Sequence, residues 1–414
     1  MKGRAHANWV LALLLLAYIL NFVDRQVLAI VSPEVKQEMG LSDTELGWLL
    51  GPAFAVSFTL AGFVIARIAD VASRRNVLVL GVAAWSLLTA ACGLARGFWP
   101  LFSLRFGVAV GEAAGTPPSH SMISDYFPPE RRATALSVYG LGIYAGTGFG
   151  FAGGGLLLEW FDWRTAFIAA GLAGLPVALL ILLTVREPVR GAMEGAPGAA
   201  PPLARVLPEI FATRAFRWLM AAAACQAFLG YAVLSWGATY LRRVFEMSPS
   251  ETGLAFGGIA AVAGGIGSLG GGLLADRLAR RDPRWYAWLS ALVSLAAFPF
   301  AAVFVLAEAR NTALLAFAPF YLLNNLYVAS LWTLVQGLVA PGLRATASAT
   351  QLAVTNIVGY GIGPVLVGAL NDALAPRFGQ GAIRWSLLGA AVVGAASAFF
   401  FWQCGRTLRE ELTR

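Results

Sequence analysis

Asp24, Arg25, Arg105 and Glu112 are charged residues inside stretches otherwise built of Leu, Val, Ala, Ile, Phe and Gly. A charge at the centre of a bilayer costs about 2.5–3.5 kcal/mol on the gentler insertion scale, so such residues face a cavity or a partner. Carboxylates and guanidinium groups brought together in that setting support proton exchange. Removal from water favours the neutral carboxyl, and a neighbouring arginine favours the ionised one. A change of access or of counter-ion therefore moves a proton. Arg105 and Glu112 are seven positions apart, which puts them on one face of one helix, about 10 Å apart along it. Asp24 lies at a depth similar to Arg105, so these two are expected to pair. Glu112 is assigned as the main proton carrier, Asp24 as a second titrating group and Arg105 as the partner that reports occupancy. Arg25, adjacent to Asp24, is expected on a different face. Its guanidinium fork suits the phosphate or carboxylate head of a substrate, an anionic or zwitterionic group that Arg25 and Arg105 would hold together, with pairing of Arg25 to another helix as the alternative. The alternative for the whole set is a static ion pair tying two helices together. Buried pairs are poor stabilisers where apolar packing is available, which weighs towards the switch.

The second half of the chain has no matching charge: the position equivalent to Asp24 is Gly230. Coupling is therefore expected in the first half. Tyr231, Asn324, Asn325 and Asn356, with Gln226, Tyr327 and Tyr360, are uncharged polar groups at membrane depth and candidates for a substrate-facing wall. Each alone reads first as a helix–helix hydrogen bond and only second as a ligand contact. His120 could help relay protons, but a partnered structural histidine is the first reading. No nucleotide-binding loop, metal-ligand spacing or catalytic triad is present, so no enzyme, cofactor or metal is expected. Cys92, Cys225 and Cys404 all fall in apolar stretches and read as small core residues.

The elements that position these residues are membrane spans. The 414 residues are 58% hydrophobic and only 13% charged, with a mean hydropathy of +0.70. Apolar runs long enough to cross about 30 Å of hydrocarbon recur from end to end. Breaker residues divide them into twelve spans, near 8–32, 45–67, 76–95, 98–123, 132–158, 164–185, 216–240, 252–275, 285–307, 312–338, 344–370 and 384–404. The first is too long for a cleaved signal and carries Asp24-Arg25, so it reads as a retained helix. Residues 1–185 and 216–414 form two six-span halves, and 186–215, rich in Pro, Gly and Ala, reads as a cytoplasmic linker. The pI near 9.7 follows from loop arginines rather than a nucleic-acid face. With both termini cytoplasmic, 20 of the 30 basic residues lie inside, as the positive-inside rule requires.

Internal repeats support two halves of one design. Leu41-Ser-Asp-Thr-Glu-Leu-Gly-Trp-Leu-Leu-Gly51 matches Met247-Ser-Pro-Ser-Glu-Thr-Gly-Leu-Ala-Phe-Gly257 at Ser, Glu, Gly and Gly. At the same offset Ala69-Asp70 with Arg74-Arg75 matches Ala275-Asp276 with Arg280-Arg281, and later Pro129-x-x-Arg132-Ala-Thr-Ala matches Pro341-x-x-Arg344-Ala-Thr-Ala. Gly142, Gly146, Gly150 and Gly154 form a strict four-residue stripe for close helix packing.

Ala66-x-x-x-Asp70-x-x-x-Arg74-Arg75 and Gly272-x-x-x-Asp276-Arg277-x-x-Arg280-Arg281 resemble the signature that follows helices 2 and 8 in the major facilitator superfamily. The first copy departs from it at Ala66, Val71 and Ser73. The resemblance implies an all-α membrane protein of twelve helices in two pseudo-symmetric six-helix bundles, working by alternating access. It also implies that Asp70, Arg74, Arg75, Asp276, Arg277, Arg280 and Arg281 form gates, the Asp capping a helix in the opposite half in one state. Arg131 and Arg132 are expected as further partners of Asp70. A narrower likeness spans residues 18 to 155. Leu20-Asn21-Phe-Val-Asp24-Arg25, Arg105 with Gly111-Glu112-Ala113, and Asp125-Tyr-Phe-Pro-x-x-x-Arg132 are similar to the spinster family, associated in eukaryotes with lysophospholipids and sphingosine-1-phosphate. It implies a proton-coupled carrier of a lysophospholipid or related amphiphile, monomeric, in a bacterial inner membrane. A carrier of a small organic anion or a drug exporter stays open, as does a non-transporting receptor or scaffold.

Overall fold

In the computed structural model, residues 2–190 and 203–412 are described, and they are helical nearly throughout. The expected linker 186–215 falls partly on 191–202, outside the described residues. The chain groups into two compact units, Met1–Gly198 with Met247–Ala261 and Ala199–Glu246 with Val262–Arg414.

Unit 1 begins with α1 (Lys2–Met39), which Gly40 ends in the left-handed conformation at φ 65°. Next come α2 (Asp43–Leu50), α3 (Pro52–Val71) and α4 (Arg74–Cys92), then α5 (Phe98–Glu112), α6 (Thr116–Tyr126), α7 (Pro129–Trp160) and α8 (Trp163–Thr184). The first internal repeat is a helix-start device. Ser42 Oγ accepts from the Glu45 N–H at 3.1 Å and Glu45 Oε2 accepts from the Ser42 N–H at 2.8 Å. Ser248 and Glu251 make the same reciprocal bonds, at 3.2 and 3.3 Å. Both are capping boxes that satisfy amides left over at a helix start.

Lipid gives apolar helices no hydrophobic reward for associating, so close backbone approach holds them together. The glycine stripe of α7 is such a seam, and it faces α1. A methyl group at Gly150 would meet the Val23 carbonyl oxygen and Gln26 Cβ, each at 2.9 Å, and one at Gly142 would meet the Tyr18 ring at 2.9 Å. Gly146 and Gly154 pack the same way on Ile19 and Ile30.

The fourth expected span is not continuous. α5 stops at Glu112 and α6 starts at Thr116, with a turn at 113–115 between them. Pro117 and Pro118 have no N–H to donate to the carbonyls of Ala113 and Ala114, so the helix cannot run through.

Unit 2 holds α9 (Leu203–Ala212), α10 (Arg214–Phe245), most of α11 (Pro249–Ala279), α12 (Trp285–Leu306), α13 (Arg310–Asn325), α14 (Tyr327–Gly337), α15 (Arg344–Val354), a π-helical segment Thr355–Ile362, α16 (Gly363–Phe378) and α17 (Ala382–Leu412). Here a device repeats that the sequence comparison missed. In unit 1 Arg164 donates to the carbonyls of Gly93 and Ala95 at 2.9 and 2.7 Å, just past the end of α4. In unit 2 Arg384 donates to the carbonyls of Val305 and Ala307 at 3.0 and 2.6 Å, at the end of α12. Each arginine satisfies carbonyls that a terminating helix leaves without donors.

Among the described residues ten helical stretches are long and apolar enough to cross a membrane. One of them, Thr346–Leu408, runs through two crossings, and the broken α5–α6 pair adds another. The twelve expected spans are thereby all present.

Candidate functional site

The intramembrane charges meet inside unit 1, on α1 and α5, with α3 and α4 closing the site. Asp24, Arg105 and Glu112 are each 1% exposed. Their pairing differs from the sequence expectation. Glu112 pairs with Arg25, Nε to Oε2 at 2.8 Å. Asp24 accepts from the Thr89 hydroxyl at 3.2 Å, and Arg105 reaches the backbone carbonyl of Asp24 at 3.4 Å rather than its carboxylate.

The reason lies in the rotation of α1. Successive residues are about 100° apart around a helix. The glycine seam takes Ile19, Val23, Gln26 and Ile30, so the opposite face is centred between Asp24 and Arg25. Both then point towards the other charges, one on each side of the midline. Arg25 is therefore not on a separate face.

Arg25 is wrapped by aromatic rings. Its guanidinium carbon stands 4.7, 4.6 and 4.8 Å from the ring centres of Phe22, Phe54 and Phe58. Arg105 also lies against Phe54, at 5.5 Å. Ring faces attract a cation without neutralising it. The arginine is thus held in place while its charge stays available. The cluster contains two carboxyl and two guanidinium groups, yet Asp24 Oδ1, Glu112 Oε1 and Arg105 Nε have no hydrogen-bond partner. A buried polar network with open positions is costly at rest. Those positions suit protons, water or a ligand head.

The loop between α3 and α4 is braced inside unit 1. Arg74, only 2% exposed, is held by Asp125, by Glu187 at 2.9 Å and by the Ser121 hydroxyl at 2.8 Å. Glu187 also accepts from the Arg75 N–H and the Ser73 hydroxyl, both at 2.8 Å, at the start of α4. Burial alone would raise the Glu187 carboxyl, but the bonds from Arg75, Arg74 and Ser73 outweigh it and hold it below the usual carboxylate range. Arg190 donates to the carbonyls of Ala69, Asp70 and Ala72 at the end of α3. Arg132 donates to the Ser124 carbonyl at 3.0 Å, and Arg131 is exposed. In unit 2 Asp276 accepts from the Tyr286 hydroxyl at 2.8 Å, and Arg277, Arg280 and Arg281 are exposed.

Of the polar residues expected to face substrate in the second half, Asn325 donates to the Tyr321 carbonyl of its own helix at 2.8 Å, a structural use. Asn324 is 5% exposed with its amide oxygen unpartnered, next to Gly230. The Tyr231 and Tyr360 rings lie tilted against each other at 4.7 Å, and Asn356 lies in the π-helical segment, a distortion frequent at functional sites. Thr89 was missed from sequence. A helical threonine usually bonds its own backbone, and nothing in its neighbours marks it. Among the described residues no cluster of His, Cys, Asp and Glu could hold a metal ion.

The sequence profile of the Major Facilitator Superfamily matches residues 14–359. The chain belongs to the major facilitator superfamily. An MFS-type efflux pump of Mycolicibacterium smegmatis is 32% identical to this transporter over 99% of its chain and 95% of the relative. The human protein spinster homolog 1 is 27% identical over 95% of this chain and 79% of the relative. Among solved structures, a bacterial homolog of the human lysosomal transporter spinster superposes with a TM-score of 0.89 at 30% identity, covering 98% of both chains. The D-xylose–proton symporter, at 17% identity and a TM-score of 0.73, shares the fold. The transporter is therefore a multi-pass membrane protein of the spinster type and not an enzyme.

Proposed function

We propose that this transporter couples a proton to the movement of a lysophospholipid or related amphiphile, with Glu112 as the main proton carrier. One observation carries the reading: a buried Arg25–Glu112 pair whose arginine is caged by three phenylalanines and whose carboxylate keeps one oxygen unpartnered. An anionic head that takes the Arg25 guanidinium deprives Glu112 of its counter-charge. A carboxylate left alone in a site closed to water persists only as the neutral acid. Head group and proton then bind together and leave together. Arg105 steadies the site against Asp24, the second titrating group. Tyr231, Asn324 and Asn356 are the corresponding candidates in the second half, and the phenylalanine cage favours a substrate with apolar bulk beside its charge.

Transport follows alternating access, by movement of the halves 1–185 and 216–414 joined through 186–215. Asp70, Arg74, Arg75, Arg131, Arg132, Asp276, Arg277, Arg280 and Arg281 act as gates at their cytoplasmic ends. The protein works as a monomer in a bacterial inner membrane with both termini in the cytoplasm. A second reading, export of a drug or carriage of a small organic anion, is supported by the efflux pump among its relatives. Proteoliposomes under an imposed pH gradient, offered labelled lysophospholipid, organic acids or drugs, separate these readings. Gradient-driven lysophospholipid flux supports the first and flux of another class the second. Binding without flux makes the protein a receptor.

A further inference from the structure

Unit 2 repeats the placement of Glu112 with a neutral residue. The alignment of Pro129-x-x-Arg132-Ala-Thr-Ala with Pro341-x-x-Arg344-Ala-Thr-Ala, carried back along the chain without a gap, sets Asn324 at the position of Glu112. Both residues stand in the last turn before a helix break. α5 stops at Glu112 and α6 resumes at Thr116, while α13 stops at Asn325 and α14 resumes at Tyr327. The helix that meets them corresponds too. In unit 1 Arg25 of α1 pairs with Glu112. In unit 2 Gly230 of α10, the counterpart of Asp24, is next to Asn324: a methyl group on Gly230 would stand 3.6 Å from Asn324 Nδ2.

The chemistry differs between the two. Where unit 1 sets charges, unit 2 sets amide oxygens. Asn324 is buried, and so is Gln226, one turn before Gly230 on α10. Gln226 donates its amide nitrogen to Ser294 Oγ at 2.5 Å, and neither Gln226 Oε1 nor Asn324 Oδ1 has a partner. Buried oxygens without a donor are costly and uncommon in a resting protein. An amide oxygen repels an anion and carries no full charge to hold a cation, so the group that completes it is a neutral donor. In a lysophospholipid the phosphate belongs with a guanidinium. The neutral donor of its glycerol part is the hydroxyl left where the second acyl chain is missing.

We propose that Asn324 accepts a hydrogen bond from this hydroxyl, and that it is the residue by which the transporter tells a lysophospholipid from the diacyl lipid around it. The diacyl lipid carries an ester at the same place. The ester has no hydrogen to donate, and it brings a second chain against Asn324. Gly230, with no side chain of its own, keeps the space in which the hydroxyl sits. The inference rests on the lysophospholipid reading above and adds which group of the substrate is selected, and by which residue.

The test uses the full-length transporter in proteoliposomes and two labelled lipids, a lysophospholipid and its deoxy analogue, in which hydrogen replaces the glycerol hydroxyl. The wild-type protein should favour the hydroxyl form about tenfold in kcat/KM, because the analogue leaves a buried acceptor unpaired. Asn324→Leu keeps the bulk and removes the acceptor, and there the ratio should fall to within about twofold of one. Gly230→Ala keeps the acceptor and places its carbon at ordinary contact distance, so it folds. Crowding of the hydroxyl should lower the ratio there by about threefold, and this variant decides if Asn324→Leu fails to fold. A structural role for Asn324 would slow both lipids alike and leave the ratio unchanged. Equal transport of the two lipids by the wild-type protein, as when water alone occupies the place, overturns the hydroxyl contact and leaves the lysophospholipid reading standing. A tenfold preference that survives in both variants does the same. Transport of neither lipid overturns the two readings together.

Discussion

Glu112→Gln separates folding from coupling, because the amide keeps a carbonyl oxygen where Glu112 Oε2 accepts from Arg25 Nε at 2.8 Å. Removing one member of a buried pair outright costs about 3–5 kcal/mol. Here the hydrogen bond survives and the guanidinium remains among Phe22, Phe54 and Phe58. The expected loss of stability is therefore about 1–3 kcal/mol, and the variant should fold. Coupling is affected far more. A pH difference of one unit is worth about 1.4 kcal/mol per proton, which drives about tenfold accumulation at one proton per substrate. With no titratable group at position 112, that accumulation should disappear, while exchange between equal pools of substrate continues. The assay is uptake of labelled lysophospholipid into proteoliposomes, with and without an imposed gradient. Tenfold accumulation by a folded Glu112→Gln protein would refute the reasoning.

Four further outcomes are expected. Arg25→Lys should lose most transport, since an ammonium lacks the planar fork that matches a phosphate, while thermal unfolding in detergent changes little. Gly150→Val should destabilise the protein by about 1–3 kcal/mol through overpacking of the α1–α7 seam, whereas Gly153→Ala, with nothing within 4 Å of the added carbon, should leave the unfolding temperature unchanged or raise it. The Glu187 carboxyl is held below its ordinary range, so its contribution to the brace is present above the ordinary carboxylate pKa and disappears as pH falls through the lowered value; tryptic cleavage at Arg74 and Arg75 should rise on acidification, and Glu187→Gln should show the rise already at neutral pH. Asp70→Asn should shift the ratio of inward-open to outward-open protein, read by site-specific labelling, and an unchanged ratio removes Asp70 from the gate.

Apolar length was enough to find the spans, the break in the fourth apart, because the bilayer imposes a length that soluble folds do not. The glycine stripe of α7 was legible as a seam. Its partner was not, since spacing says how close a helix can come and not which helix comes. That missing partner explains the misread charge pair. Once Val23 and Gln26 are known to press on Gly150, the face holding Asp24 and Arg25 follows, and with it the Arg25–Glu112 contact. The helix break below Glu112 was legible in principle, from Pro117-Pro118 behind Gly115, but apolarity carried the span through it. Thr89 carries no local signal, and only the packing of α4 against α5, which brings its hydroxyl to Asp24 of α1, makes it part of the site.

Whether a proton moves with the substrate is best tested by trapping a pH-sensitive dye inside proteoliposomes and imposing a lysophospholipid gradient with no initial pH difference. The account predicts a change in internal pH in step with lipid movement in the wild-type protein and none in Glu112→Gln. Lysophospholipid flux through the wild-type protein with a constant internal pH would contradict it.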